Sequence, residues 1–241
     1  MNSSKKDYNK LYQLQDKFLS WWLSLHLPFY LTGGTALGRF YLNHRFSDDL
    51  DFFTNAKTQD SATIAELNRK MKGRFEVNIQ QSLFDDDFTR FFITEDDLFL
   101  KIELVNDIEY YAGKPTAYKY GYIDTPLNIL SNKLTALVGR DEPKDIFDII
   151  HLSTSYSFNW MDLFHHAKNK AAINELDVEQ RLISFPVELL VNVKWINKPI
   201  DLIHTRDCLN QIADDFFLGK ANSLGINKTN IESAKPNICI A

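Results

Sequence analysis

The sequence is poor in cysteine, in long apolar runs and in any concentration of charge of one sign, and each shortage excludes a class of protein. Cys208 and Cys239 are the only cysteines in 241 residues; they have no metal-like spacing and read as two reduced thiols. No apolar stretch approaches the roughly 18 residues of a membrane-spanning helix. Met1 to Lys10 is polar and of mixed charge, with no apolar region behind it, so the expectation is a cytoplasmic chain with no membrane partner. Net charge is −5; residues 1–120 carry 15 basic and 17 acidic side chains and residues 121–241 carry 12 and 15, so neither half is a basic arm for nonspecific nucleic-acid binding. Walker lysine loop, Rossmann glycine fingerprint and nucleophile elbow are all missing. What is left, 44% hydrophobic and 24% charged, is the balance of a globular protein long enough to bury a sizeable core.

Periodicity divides the chain in two. Leu11, Leu14, Phe18, Trp21, Trp22 and Leu25 fall at three- and four-residue steps, predicting a helix over Tyr8 to Leu27 that Pro28 stops. Phe29–Leu31 reads as a short strand, Gly33-Gly34 as a turn into a helix from Thr35 to about Leu42, Asp49–Phe53 as a strand, and Ser61 to Lys72 as a helix with Ser61 as its N-cap. The alternating runs Phe75–Gln80, Phe88–Thr94 and Leu98–Val105, parted by the acidic turns Asp85-Asp86-Asp87 and Glu95-Asp96-Asp97, predict an antiparallel meander at one edge of a mixed sheet. One further strand is expected near Ala117–Ile123. From Pro126 to about Leu218 the pattern is helical, with breaks near Asp141-Glu142-Pro143, Ser153–Ser157, Phe185-Pro186 and Lys198-Pro199. Gly219 to Ala241 is polar with little periodicity and reads as a loosely held tail. The expected organisation is an α/β domain over 1–125, a helical domain over 126–218 and a tail over 219–241.

The chemistry concentrates in Thr32–Phe53. Gly33-Gly34-Thr35 sits between a strand and a helix, where backbone N–H groups and the positive end of a helix dipole favour an anion. Fifteen residues after Gly34 stands Asp49, with Asp51 two further on; in a strand both point to one face. Paired like charges repel, and a divalent metal is the usual remedy. In Leu98–Val105 the even positions are aliphatic and the other face carries Lys101 and Glu103, so Glu103 can complete a three-carboxylate site suited to Mg²⁺ or Mn²⁺. Arg45 is expected to pair with Asp48 or to reach a phosphate, and His44 to be either a turn residue bonded to backbone or a catalytic group. On the first helix of the second half, Asn132, Lys133 and Ala136 share one face while Leu130, Leu134 and Leu137 form the buried stripe; Asp145 and Asp148 project from one side of the next helix. Lys133 then either ties the two helices together as an ion pair or reaches a triphosphate, with Asp148 orienting it or a reacting group. His165, His166 and Asp162 lack ligand spacing and read as helix-surface residues.

Taken in order, Gly33-Gly34-Thr35-Ala36-Leu37, His44-Arg45-x-Ser47-x-Asp49-Leu50-Asp51-Phe52-Phe53, Lys101-Ile102-Glu103-Leu104, Lys133-Leu134-x-Ala136-Leu137-x-x-Arg140 and Lys144-Asp145-x-x-Asp148 resemble the motifs of the polymerase β-like nucleotidyltransferase superfamily. More narrowly they resemble the AbiEii-type toxin family of type IV toxin–antitoxin and abortive-infection systems. The match spans roughly Phe29 to Leu152 and departs at Glu103, where many superfamily members carry Asp, and at Lys144, where Arg is usual. The resemblance implies an α/β (α+β) polymerase β-like core with a mixed sheet, followed by an all-helical half. It implies transfer of an NMP from an NTP to an acceptor hydroxyl, with family analogy pointing to a tRNA 3′ end, and a possible cognate antitoxin. On this reading Asp49, Asp51 and Glu103 hold Mg²⁺ or Mn²⁺; Gly33, Gly34, Thr35, Arg45 and Lys133 bind the nucleotide; and Asp49, Asp51, Glu103, Lys133 and Asp148 form the catalytic set. Two other readings compete: a small-molecule adenylyltransferase of the drug-modifying kind, which the acidic balance favours, and a catalytically silent nucleotide-binding module, which the altered third acid suggests.

Overall fold

The computed structural model describes residues 7–56, 61–85, 87–140, 142–191, 193, 195–196 and 198–237. Cys239, the Asp86 and Asp141 positions of two expected turns and the Ser61 side chain lie outside the described residues.

Helix α1 (Tyr8–Leu23) starts at Asp7, whose carboxylate accepts from the backbone N–H groups of Asn9 and Lys10, and buries Leu11, Leu14, Gln15, Phe18, Leu19 and Trp22. Strand β1 (Tyr30–Thr32) runs straight into α2 (Gly33–Thr35), which continues over Ala36–Tyr41 as a π-helical stretch, its i→i+5 ladder closed by Leu42 N–H donating to the Leu37 carbonyl at 2.8 Å. Strand β2 (Leu50–Thr54), α3 (Ser61–Lys72), β3 (Glu76–Val77), β4 (Leu83–Phe84), β5 (Phe88–Glu95) and β6 (Leu98–Asn106) follow. The strand expected near Ala117–Ile123 is a hairpin, β7 (Thr116–Tyr118) and β8 (Gly121–Ile123), divided by a turn at Lys119-Tyr120 that Gly121 leaves at φ +109°.

The eight strands form one mixed sheet in the order β3-β5-β6-β2-β1-β8-β7, with β4 also on β5. The meander lies at one edge as its alternation implies, and β6 then pairs parallel with β2 while β1 pairs parallel with β8. Alternation decides the faces: Leu100, Ile102 and Leu104 are fully buried on one side, while Lys101, Glu103 and Val105 are half-buried on the other.

The helical half comprises α4 (Pro126–Gly139), α5 (Pro143–Ser155), α6 (Trp160–Lys168), α7 (Glu175–Ser184) and α8 (Leu202–Phe217). Pro126 and Pro143 stand in the first turns of α4 and α5, where a missing N–H costs nothing. A break at 169–174, between α6 and α7, has no strong punctuating residue and escaped the periodicity reading. One hydrophobic cluster runs through both halves, from Leu11 and Phe52 to Trp160, Leu209 and Ile231. None of the described helices is long and apolar enough to cross a membrane.

Residues 219–237 are not loosely held. Asn222 donates to the carbonyls of Ser153 (2.7 Å) and Tyr156 (2.8 Å), Ile231 is buried, and the Asn237 side chain donates to the Tyr41 carbonyl at 2.8 Å. Polar side chains that bond backbone do this anchoring, which hydrophobic periodicity does not register.

Candidate active site

Strand β1 delivers the glycine turn against β2, with Thr32 in register opposite Asp51. Gly33 has φ +68°, and a Cβ there would meet Asp51 Oδ2 at 2.6 Å; one on Gly34 would meet Arg45 Nη2 at 2.3 Å. Both positions thus press bare backbone against a charged side chain, which any larger residue would push away. Thr35 is fully buried and its hydroxyl donates to the Asp49 carbonyl, so it braces the turn against the acid and does not face the cavity.

Parallel pairing sets Asp51 directly beside Glu103, and Asp49 precedes β2 on the same face. Lys101 Nζ lies between Asp49 Oδ2 (3.1 Å) and Glu103 Oε2 (3.2 Å). Arg90 of β5, in register with Glu103, donates from Nε to Oε1 at 2.7 Å. Burial alone would raise the Glu103 carboxyl, but Lys101 and Arg90 hold it below its ordinary value. Asp51 has no such partner: burial, then the charges of Glu103 and Asp49, push it up to about 7. Three carboxylates against Lys101 and Arg90 leave charge unbalanced, and their hard oxygens are the donor set that Mg²⁺ or Mn²⁺ takes. Among the described residues no three such side chains stand ready-made as a metal cluster; Glu103 is turned towards Arg90 and Lys101, whose ammonium takes the cation's place. The residues fit a divalent cation in number and kind, with Lys101 as the group it would displace.

A second cluster stands across the cavity from this face. Asp148 is fully buried on α5 and receives Arg45 bidentately, Nε to Oδ1 at 2.6 Å and Nη2 to Oδ2 at 2.8 Å, with His44 Nε2 at 2.7 Å from Oδ1. Lys133 of α4 bridges Asp145 (2.7 Å) and Asp148 (2.9 Å), and Arg140 also grips Asp145. Burial would raise Asp148, yet Arg45 and Lys133 keep it well below the carboxylate range. Desolvation likewise works against the Lys133 ammonium, and Asp148 and Asp145 more than compensate.

Arg45 is expected to pair with Asp48 or to reach a phosphate; its guanidinium forks onto Asp148, donates through Nη1 to the Phe46 carbonyl, and also lines the cavity. His44 contacts Asp148 through Nε2 and, among the described residues, makes no side-chain bond to backbone. Lys133 does form the interhelical ion pair and also lines the cavity, whereas Asp148 lines none of it. On α6, Asp162 and His165 are exposed as expected; His166 bonds the Tyr110 hydroxyl through Nδ1.

Sequence reasoning passed over several groups that surround the site. Asp124 is fully buried beside the end of β1; Thr32 Oγ1 donates to it at 2.6 Å and Asn128 Nδ2 at 3.0 Å, and burial pushes it up to about 6 despite both bonds. Lys170, in the turn after α6, lines the cavity with its side chain only 5% exposed. Neither has a motif around it; only the fold brings them near.

The cavity between sheet and helical half has a volume of about 550 Å³, within the range of small-molecule sites. Gly33 and Gly34 line one part of its wall, Asp49, Asp51 and Glu103 another, and Lys133 and Ala136 of α4 face them. Its lining carries six basic residues (Arg45, Lys101, Lys133, Arg140, Lys144, Lys170) and six acidic ones (Asp49, Asp51, Glu103, Asp107, Glu142, Asp145), so it is less negative than the chain as a whole.

Several solved structures share this fold. A Helicobacter pylori protein assigned as a nucleotidyltransferase superposes with a TM-score of 0.57 at 21% identity, over 90% of this chain and 96% of that one. JHP933 of Helicobacter pylori gives 0.56 at 22% identity, over 90% and 94%. MenT4, the nucleotidyltransferase toxin Rv2826c of Mycobacterium tuberculosis H37Rv, gives 0.54 at 16% identity, over 90% and 85%. No curated protein sequence matches the chain. The family model described as nucleotidyl transferase AbiEii toxin, type IV TA system, matches residues 21–195, which takes in the glycine turn, all three acids and the Lys133–Asp148 cluster. The chain belongs to the AbiEii family of nucleotidyltransferase toxins of type IV toxin–antitoxin systems.

Proposed function

We propose that the cavity transfers a nucleoside monophosphate from an NTP to the 3′-hydroxyl of an RNA acceptor, specifically a tRNA 3′ end, in the cytoplasm, and that a cognate antitoxin restrains it. The observation that carries this reading is the parallel register of Asp51 with Glu103, with Asp49 on the same face, at the foot of a glycine turn that opens a helix. The attacking oxygen forms a bond to the α-phosphorus as the bridging P–O bond to the β-phosphate breaks, and pyrophosphate leaves.

Asp49, Asp51 and Glu103 would hold Mg²⁺ or Mn²⁺, which when bound neutralises charge developing on the triphosphate. Glu103, kept ionised by Lys101 and Arg90, accepts the proton of the attacking hydroxyl. Backbone N–H groups of Gly33 and Gly34, braced by Thr35, and the Lys133 ammonium hold the β- and γ-phosphates. Arg45 and Asp148 act as positioning residues: they fix Lys133 and prop the Gly34 turn from beneath. Residues 1–125 form the catalytic α/β domain, and the helical domain over 126–218, clasped by residues 219–237, presents the acceptor.

The test is incubation with each labelled NTP, Mg²⁺ and total RNA, comparing wild type with Asp51→Ala. Label on tRNA, absent from the variant, is the expected result. Label only on an added aminoglycoside-type small molecule would move the acceptor to the drug-modifying class, and no label on anything would remove the reading.

A further inference from the structure

Away from the glycine turn the cavity lining changes from carboxylate to apolar and then to a buried cation. Along β2 and β6 the cavity-facing positions run from Asp51 and Glu103 to Phe53 and Val105, which are again in register, and then to Asp107 just past β6. Lys170 comes from the turn after α6. Its ammonium has no hydrogen-bond partner among the described residues, and Asp107 Oδ2 stands 4.0 Å away. Burial lowers its pKa from the ordinary lysine value, with Asp107 and Asp124 opposing. An ammonium held out of water without a hydrogen bond is costly unless a ligand completes it.

Strand rise places Asp107 on the order of 13 Å along the ladder from Glu103. An NTP whose α-phosphate lies at Asp51 and Glu103 therefore extends its base over Phe53 and Val105, with its polar edge towards Asp107 and Lys170. We propose that Lys170 and Asp107 form the subsite that reads the nucleobase of the NTP, the ammonium donating to a ring carbonyl or imine nitrogen and the carboxylate accepting from the adjacent N–H. The inference rests on the nucleotidyl-transfer reading and deepens it. A carboxylate beside the lysine disfavours a phosphate in this place and suits a nucleobase edge, where a ring acceptor neighbours an N–H donor. Phe53 and Val105 supply the apolar platform beneath the ring.

The experiment measures equilibrium binding of the four NTPs and of inorganic tripolyphosphate, with Mg²⁺, to the whole protein and to Lys170→Met and Asp107→Asn. Wild type is expected to prefer one NTP. Lys170→Met is expected to lower that affinity about 10-fold, level the four NTPs and leave tripolyphosphate unchanged, the size of one lost charged hydrogen bond. Asp107→Asn, nearly isosteric and so free of a folding defect, is expected to change the order of preference. Tripolyphosphate weakening in parallel with NTPs in Lys170→Met makes the lysine a phosphate ligand and overturns the proposal, as do NTP affinities unchanged in both variants. Wild type binding tripolyphosphate but not distinguishing NTPs overturns the base subsite alone; wild type binding neither removes the nucleotidyl-transfer reading with it.

Discussion

Two charged clusters meet at the cavity of this protein, and they solve the same electrostatic problem in opposite ways. Around Asp148 the charges are buried and matched: Arg45 forks onto the carboxylate, Lys133 bridges it to Asp145, and His44 takes a remaining lone pair. On the sheet, Asp49, Asp51 and Glu103 outnumber Lys101 and Arg90, and burial, then the neighbouring carboxylates, push Asp51 up to about 7. The first arrangement is paired internally and holds Lys133 in place at the cavity wall. The second is balanced only by an added cation, and perturbed titration of this kind collects where chemistry is done. Paired charge on one wall and unrelieved charge on the other is what a site needs if binding is to switch it on.

Removing Asp51 should break the contrast most sharply. Asp51→Asn is expected to lower NMP transfer on the order of 10³-fold, since charge neutralisation worth several kcal/mol is lost, while raising the ligand-free melting temperature by roughly 2–4 °C through relief of repulsion; labelled-NTP transfer and calorimetry check the two halves. Asp148→Ala should do the reverse in stability. It strands Arg45 in the interior, and urea unfolding is expected to show a loss of about 3–5 kcal/mol. The two clusters also part in their pH dependence. Asp51 binds protons more tightly folded than unfolded between its ordinary 3.8 and about 7, and Asp124 does so up to about 6, so stability without divalent ions should fall as pH rises from 4 to 7. The carboxylate of Asp148 is depressed, so its contribution persists through that window and is lost only below the ordinary carboxylate range. Urea midpoints against pH in EDTA test this; Asp51→Asn should remove the part of the slope nearest neutrality and leave the Asp124 part. The smallest effect belongs to Arg140→Ala: its side chain is 58% exposed, and denaturation should register under about 1 kcal/mol despite two hydrogen bonds to Asp145.

How much of this was legible beforehand depends on whether information is local. The strand carrying Glu103, the paired aspartates and the Lys133 face all follow from periods of 2 and 3.6 residues, and the structure places them where alternation implies. Arg45 pairing with Asp148 rather than Asp48 joins positions 103 residues apart, and no local pattern encodes that. Lys170 and Asp124 belong to the same class, as does the clasp of residues 219–237, which is built from asparagine side chains on distant carbonyls. The hairpin at 116–123 was missed for a smaller reason: its turn is too short to interrupt an aromatic-rich run that already looks like strand.

The parallel pairing of β2 with β6 carries a consequence for how this sequence tolerates error. Substitution at Glu103 or Asp51 can abolish chemistry and leave the core intact, because alternate positions serve different masters. Insertion or deletion of one residue in β6 cannot: it would turn Leu100, Ile102 and Leu104 outward in the same stroke that turns Lys101 and Glu103 inward. Silent variants of this chain should therefore accumulate through point changes at the acids, whereas length changes in that strand should be lost together with the folded protein.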